Sequence, residues 1–153
     1  MADQQTTVSR EDLAKALNDD LSREYQAIIA YVVYSQALKG PQYMNIADEL
    51  EKHAAEELAH ALKIAKHIGY LGAMPTGTAK AVTLAEKPTD MLRADLDNEN
   101  ETVRNYRERI RQCEAIGEFA MAEQIRTILV QEQDHQIDLA TALGVEVPDM
   151  SGR

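Results

Sequence analysis

The sequence predicts an all-α chain, four long helices packed as a four-helix bundle with one long crossover between the second and third, and three observations carry that expectation. Seven Gly, four Pro and a single Phe in 153 residues are too little punctuation and too few aromatic runs for a turn-rich β fold. Apolar residues recur in steps of three, four and seven through four stretches of about 25 to 30 residues each, the period of one helical face. One interval between those stretches, residues 70–87, is long and has Gly, Pro and Thr without a sustained period.

Residues 1–8 carry no helical stripe and are expected to form a flexible tail ahead of a bundle over 9–144. Ser9 followed by Asp12 reads as the start of the first helix, because the hydroxyl accepts a free backbone N–H and the acid favours the positive helix end. Its stripe is Leu13, Leu17, Leu21, Ile28, Tyr31 and Leu38, and Gly40-Pro41 stops it. The second helix is expected over about 42–68, with Ile46, Leu50, His53, Ile64 and Ile68 inward and Gly69 as its stop. Thr89 is expected to cap the third, whose stripe is Leu92, Leu96, Val103, Tyr106, Ile110 and Cys113, ending near Gly117. The fourth carries Met121, Ile125, Ile128, Leu139 and Leu143 and stops at Gly144, leaving 145–153 as a short C-terminal tail. Short first and third connections make two antiparallel hairpins, and the long link lets the second hairpin return along the first.

Sixteen Lys+Arg against 26 Asp+Glu give a formal charge of −10. No basic patch is segregated from that excess, so a nucleic-acid partner is not expected. The first residues hold neither a cationic stretch nor an apolar run, and the longest apolar run, 27–34, is far below the ~18 residues of a membrane span. The lone cysteine, Cys113, can form neither an internal disulfide nor a cysteine-rich zinc site, and a reducing, cytoplasmic location is expected.

Each stripe skips a beat, and the residue on the missing beat is polar. Glu24 interrupts the first, Glu57 and His60 the second, Glu99 the third, and Glu132 and His135 the fourth. All six are expected to face inward, where a desolvated carboxylate costs several kcal/mol unless it is partnered. The spacings repeat: Glu24 to Glu57 and Glu99 to Glu132 are both 33 residues, and His follows the second Glu by three in both halves. One offset of 75 residues maps Glu24 on Glu99, Glu57 on Glu132, His60 on His135, Tyr31 on Tyr106 and Gly69 on Gly144. This is an internal repeat of one helical hairpin. Positions i and i+3 share a helix face, so each Glu-x-x-His pair offers an oxygen and a nitrogen to one point. Two divalent cations would balance four ionised glutamates. An oxygen-rich set with one nitrogen per ion suits iron or manganese better than a tight tetrahedral zinc cage.

These residues resemble the di-iron set of the ferritin-like superfamily, one Glu from each of two helices and a Glu-x-x-His pair from each of the others. Met91-Leu92-Arg93-Ala94-Asp95-Leu96 ahead of Glu99, with Glu57-Leu58-Ala59-His60 and Glu132-Gln133-Asp134-His135, is most similar to the bacterioferritins. The resemblance implies that Glu57 and Glu132 bridge two irons, that Glu24 with His60 and Glu99 with His135 terminate them, and that Tyr31 is the tyrosine near the metals and the candidate catalytic residue. Buried packing with a hydroxyl hydrogen bond is the alternative for Tyr31 and Tyr106.

Two departures qualify the resemblance. The bacterioferritin haem methionine follows the second-helix Glu, and here that position is Leu58, so haem is not expected. The tail after Leu143 has no room for the fifth helix of the bacterioferritin shell, so the homo-oligomer implied is a dimer or a smaller cage. The expected activity is that of a ferroxidase oxidising Fe2+ with dioxygen or hydrogen peroxide, with iron storage if a shell forms. A rubrerythrin-like peroxidase or manganese catalase is the enzymatic alternative, and a helical interaction module with a polar core the non-enzymatic one. His53 is read as a core or interface histidine, because the offset pairs it with Ile128, with an auxiliary-ligand role as the alternative. Glu56, Glu101, Asp134 and Asp138 are read as solvated flanking acids, with inward guidance of cations as the alternative.

Overall fold

The computed structural model describes residues 8–150; the first seven residues and the last three, parts of the two expected tails, lie outside the described residues. Four helices account for most of the chain: α1 (Arg10–Ala37), α2 (Met44–Tyr70), α3 (Pro88–Ala115) and α4 (Phe119–Leu143). At 1.5 Å per residue each is about 40 Å long. Among the described residues there is no strand, and no helix is long and apolar enough to cross a membrane.

Local chemistry sets the ends. Ser9 and Asp12 form a reciprocal capping box at the start of α1, the Asp12 N–H donating to Ser9 Oγ at 3.0 Å and the Ser9 N–H to Asp12 Oδ2. The expected start of the second helix near Gln42 is instead a single 3-10 turn, Pro41–Tyr43, which leads into α2 at Met44. Thr89 does not cap α3. Lys87 occupies that position with no side-chain cap, because Pro88, whose ring presets a helical φ and lacks the N–H that would go unbonded, takes the first helical turn. At the far end Gly144 stops α4 in the left-handed conformation, φ 70°, which a side chain with a Cβ resists.

The α1–α2 and α3–α4 hairpins lie together so that α1 also packs on α3 and α2 on α4. The α1–α3 seam is fastened by charge. Arg109 forks onto Asp20 through Nε at 2.6 Å and Nη2 at 3.0 Å, and Arg23 reaches Asn98, Thr102 and Glu101. The 75-residue offset maps Asp20 on Asp95 but Arg109 on Tyr34, so buried Asp95 has no guanidinium opposite it, and its Oδ2 has no hydrogen-bond partner.

The long connection, residues 71–87, is not loose. Asn18, Ser22 and Gln26, spaced by four along α1, each bind its backbone: Asn18 at Met74 and Thr76, Ser22 at Thr78, Gln26 at Ala81. Tyr25 adds Thr76, and the Tyr34 hydroxyl accepts from the Ala85 N–H. The connection is thereby strapped along one helix.

Inside, the apolar residues fall into two clusters. One gathers Leu13, Leu17, Leu21, Ile64, Ile110 and Ile125 with their neighbours, and the other Ala27, Leu50, Leu92, Leu96 and Leu139 with theirs. The six polar beats of the stripes belong to neither cluster, and all six are buried, 0–2% exposed. They form a polar layer inside the bundle.

Candidate metal centre

All four helices contribute to this layer at mid-length: Glu24 from α1, Glu57 and His60 from α2, Glu99 from α3, and Glu132 and His135 from α4. Their donor atoms form two groups, each within 4.8 Å: Glu24, Glu57, His60 and Glu132, and Glu57, Glu99, Glu132 and His135. The groups share Glu57 and Glu132. His60 Nδ1 stands 2.6 Å from Glu132 Oε1, and His135 Nδ1 stands 2.8 Å from Glu57 Oε1, so each imidazole turns the same nitrogen inward.

What lies behind the donors fixes their direction. Tyr31 of α1 donates to Glu99 Oε1 of α3 at 2.5 Å, and Tyr106 of α3 donates to Glu24 Oε1 of α1. Under the offset these are one contact made twice, each tyrosine serving the other hairpin's carboxylate. Both tyrosines therefore sit behind the ligands, which agrees with the buried, hydroxyl-bonded alternative for Tyr31. Of the outer imidazole nitrogens, His60 Nε2 lies 2.6 Å from Gln131 Oε1, whereas His135 Nε2, 3.5 Å from Glu56 Oε2, makes no hydrogen bond. For His60, an outward N–H to an oxygen holds the tautomer that leaves Nδ1 free for a cation. Gln131 escapes a search for metal-ligating residue types, yet it stands 75 residues after Glu56, one place ahead of the Glu-x-x-His pair, and that register would have found it.

The donor set fits cations. Glu24 Oε2, Glu99 Oε2 and Glu132 Oε2 are buried with no hydrogen-bond partner, and Glu57 Oε1 and His135 Nδ1 meet across 2.8 Å without hydrogen-bond geometry. Buried polar atoms are satisfied nearly everywhere in proteins, and so many carboxylate oxygens left over in a single layer call for a positive partner. Without one, protons do the neutralising. Burial, reinforced by the Glu132 charge, pushes the Glu24 carboxyl up to about 7 and those of Glu57 and Glu99 well above the carboxylate range. Burial acts on Glu132 too, but Glu99, His135 and His60 turned toward it hold its carboxyl well below the ordinary value. The His135 imidazolium, opposed by burial, is favoured by Glu132 and Glu99 up to about 11. Tyr31 and Tyr106, pushed well upward by burial and then by the carboxylates they face, stay protonated donors.

The remaining sequence candidates separate. Glu101 is engaged by Arg23 at 3.1 Å, and Asp134 is exposed. His53 is buried, as a core histidine would be, but it is not inert: Nε2 lies 3.2 Å from Asp138 Oδ2, and its ring stacks on His135. Asp138 is thus more than a solvated acid. Leu58 lies on the outer surface of α2, 54% exposed. Cys113 is a fully buried packing residue.

The family model for the ferritin-like domain matches residues 14–146. The chain belongs to the ferritin-like domain family. Within it, a bacterioferritin of Brucella melitensis is 26% identical over 137 residues, 85% of each chain. A bacterioferritin of Desulfovibrio desulfuricans is 29% identical over 133 residues, 83% of this chain and 74% of the relative. Among solved structures, a ferritin-like, diiron-carboxylate protein from Bacillus anthracis superposes with a TM-score of 0.84 at 28% identity, covering 88% of this chain and 96% of that one. Membership of this family agrees with the resemblance read from the ligand spacing and with the all-α bundle.

Proposed function

We propose that the chain is a di-iron carboxylate ferroxidase, with Fe2+ as its substrate and dioxygen or hydrogen peroxide as oxidant. The observation that carries this reading is the pair of four-residue donor groups that share Glu57 and Glu132 inside a water-excluding bundle. Shared carboxylates are what two adjacent cations require, and Glu24 with His60 and Glu99 with His135 are left as the separate ligands of each. Two Fe2+ ions side by side supply together the two electrons that take dioxygen to hydrogen peroxide, or peroxide to water, with protons taken up from solvent.

The chain's own residues prepare that chemistry. Four carboxylates favour the higher charge of the product ions, so the site binds Fe3+ more strongly than Fe2+ and biases the electron transfer forward. Burial raises Glu57 and Glu99, and against burial Glu132 and Glu99 raise His135, so these ligands give up protons when cations bind, and the protons that oxygen reduction consumes come from solvent. Tyr31 and Tyr106, each one hydrogen bond from a ligand, position Glu99 and Glu24 and are the oxidisable side chains of the layer.

Anaerobic titration with Fe2+ tests the reading. About two ions per chain are expected to bind tightly, with release of protons, because ligands must deprotonate to coordinate. Admission of oxygen is then expected to oxidise both ions. Binding without proton release, or a stoichiometry near one, would contradict the proposed ligands. Tyr31→Phe is expected to keep two-ion binding while weakening the affinity of one ion about tenfold, the usual cost of losing a group that orients a ligand; Tyr106→Phe should do the same to the other. Unchanged affinity in a competitive chelator titration would remove the positioning role.

Storage adds the requirement of a hollow homo-oligomer. The α1–α2 hairpin leaves Ile29, Val32, Leu58 and Leu62 exposed, apolar surface suited to association between copies. Native mass, measured with and without iron, distinguishes a dimer from a shell.

A further inference from the structure

A second set of donors stands between the dinuclear centre and solvent, on the side where α2 faces α4. Glu49 and His53, one turn apart on α2, and Asp138 on α4 each present a donor atom, the three within 4.8 Å of one another. His53 is fully buried, with Nε2 3.2 Å from Asp138 Oδ2, while its Nδ1 has no hydrogen-bond partner. Glu49 and Asp138 line an open cleft of about 420 Å3 with Asn45 and Thr141. On the inner side the His53 ring stacks on that of His135, centroids 4.0 Å apart and planes 25° apart. One imidazole layer therefore separates the cleft from the centre.

The internal repeat shows that packing does not require this set. The offset pairs Glu49 with Gln124, His53 with Ile128 and Asp138 with Lys63. Ile128 is buried where His53 has its counterpart, and Lys63 donates to Thr127 at 3.2 Å. The same scaffold thus accepts an isoleucine and a lysine at the matching end. Burying a polar ring is costly unless its contacts offset the lost hydration, so an imidazole that turns Nε2 on Asp138 where the matching half has an isoleucine needs a reason beyond filling space. The rival partner of Glu49 is Lys52 at 2.9 Å, an exposed pair of the kind that contributes little and yields readily.

We propose that Glu49, His53 and Asp138 form a third site for a divalent first-row transition cation, and that this site stages ions for the dinuclear centre beside it. One nitrogen and two carboxylate oxygens suit Fe2+, Mn2+, Co2+ or Zn2+ over the all-oxygen preference of Mg2+ and Ca2+. The cleft leaves the remaining coordination positions to water, so the ion exchanges faster here than in the enclosed layer. The staging role rests on the dinuclear reading; the site itself does not.

Anaerobic titration of the full chain with Co2+, followed by its visible absorption and by calorimetry, tests the proposal. The chain is expected to bind about three Co2+, two tightly and one more weakly. His53→Ile, which installs the residue of the matching half, and Asp138→Asn, a change at a side chain 41% exposed, should each lower this to about two with the tight pair retained. Glu132→Ala should leave about one. Loading of the tight pair in stopped flow is expected to slow about three- to tenfold in both cleft variants. About two Co2+ in the unaltered chain, or three in both cleft variants, overturns the site. Equal loading rates overturn staging. Three ions in Glu132→Ala with a loss of one in His53→Ile would uphold the third site while refuting the dinuclear ligands.

Discussion

Replacing Glu132 with alanine is expected to abolish binding of the two tightly held Fe2+ ions and to slow Fe2+ oxidation at least about 100-fold, because this side chain belongs to both donor groups. Its Oε1 meets His60 and its Oε2, without a hydrogen-bond partner, lies toward His135, so one oxygen faces each donor group. Glu24 provides the contrast. It belongs to one group, and Glu24→Ala is expected to weaken one ion while the other still binds. Glu132→Gln, which keeps the volume and removes the charge, separates loss of a ligand from loss of packing, and helical circular dichroism reports whether either variant remains folded. Two-ion binding retained in both Glu132 variants would overturn the bridging assignment.

The second large effect concerns stability and its dependence on pH. In the metal-free chain the carboxyls of Glu24, Asp95, Glu57 and Glu99 all lie above their unfolded values, Glu24 at about 7 and Asp95 at about 8, with burial as the leading cause throughout. A group raised in this way favours the folded state below its unfolded pKa, and that contribution is lost as pH climbs through the folded one. His135, raised to about 11, acts in the same sense above pH 6.5. Glu132, held low, acts oppositely, and its contribution disappears only when acid reaches its depressed carboxyl. The metal-free melting temperature is therefore expected to fall between pH 5 and pH 9. Saturating Fe2+ under anaerobic conditions should invert the trend, since protons compete less for the ligands as pH rises. At about a thousandfold excess over Kd, each bound ion adds about 4 kcal/mol, or about 8–16 °C per ion for a chain of this size. Scanning calorimetry at three pH values decides it. A metal-free chain that grows more stable toward pH 9, or a melting temperature indifferent to iron, would contradict the buried-charge account.

The bundle was legible in the sequence because its signals are local and periodic. Ser9 and Asp12 cap as their chemistry predicts, Gly144 stops α4, and the polar beats fall in the layer where the stripes placed them. The Thr89 cap failed because two start signals stand side by side and the proline ring, which leaves its own residue no other φ, prevails. The strapping of residues 71–87 was not legible: Asn18, Ser22 and Gln26 look like any polar outer face until the chain they bind lies across them. At the centre the six candidates could be read because like charges buried together need explaining, whereas Gln131 carries no charge and is visible only through the repeat. His53 is the buried histidine that its pairing with Ile128 suggests, but its nitrogen and the carboxylate opposite come together only when α2 and α4 dock.

Neither hairpin owns a complete set of donors. Three residues of the first group come from α1 and α2 and the fourth, Glu132, from α4, while the second group borrows Glu57 in return. Bound ions would act as a clasp across the seam, so that unclasping and parting of the two halves become a single event. A loaded chain would then resist cutting within residues 71–87, and one that has surrendered its ions would be the form a protease meets open.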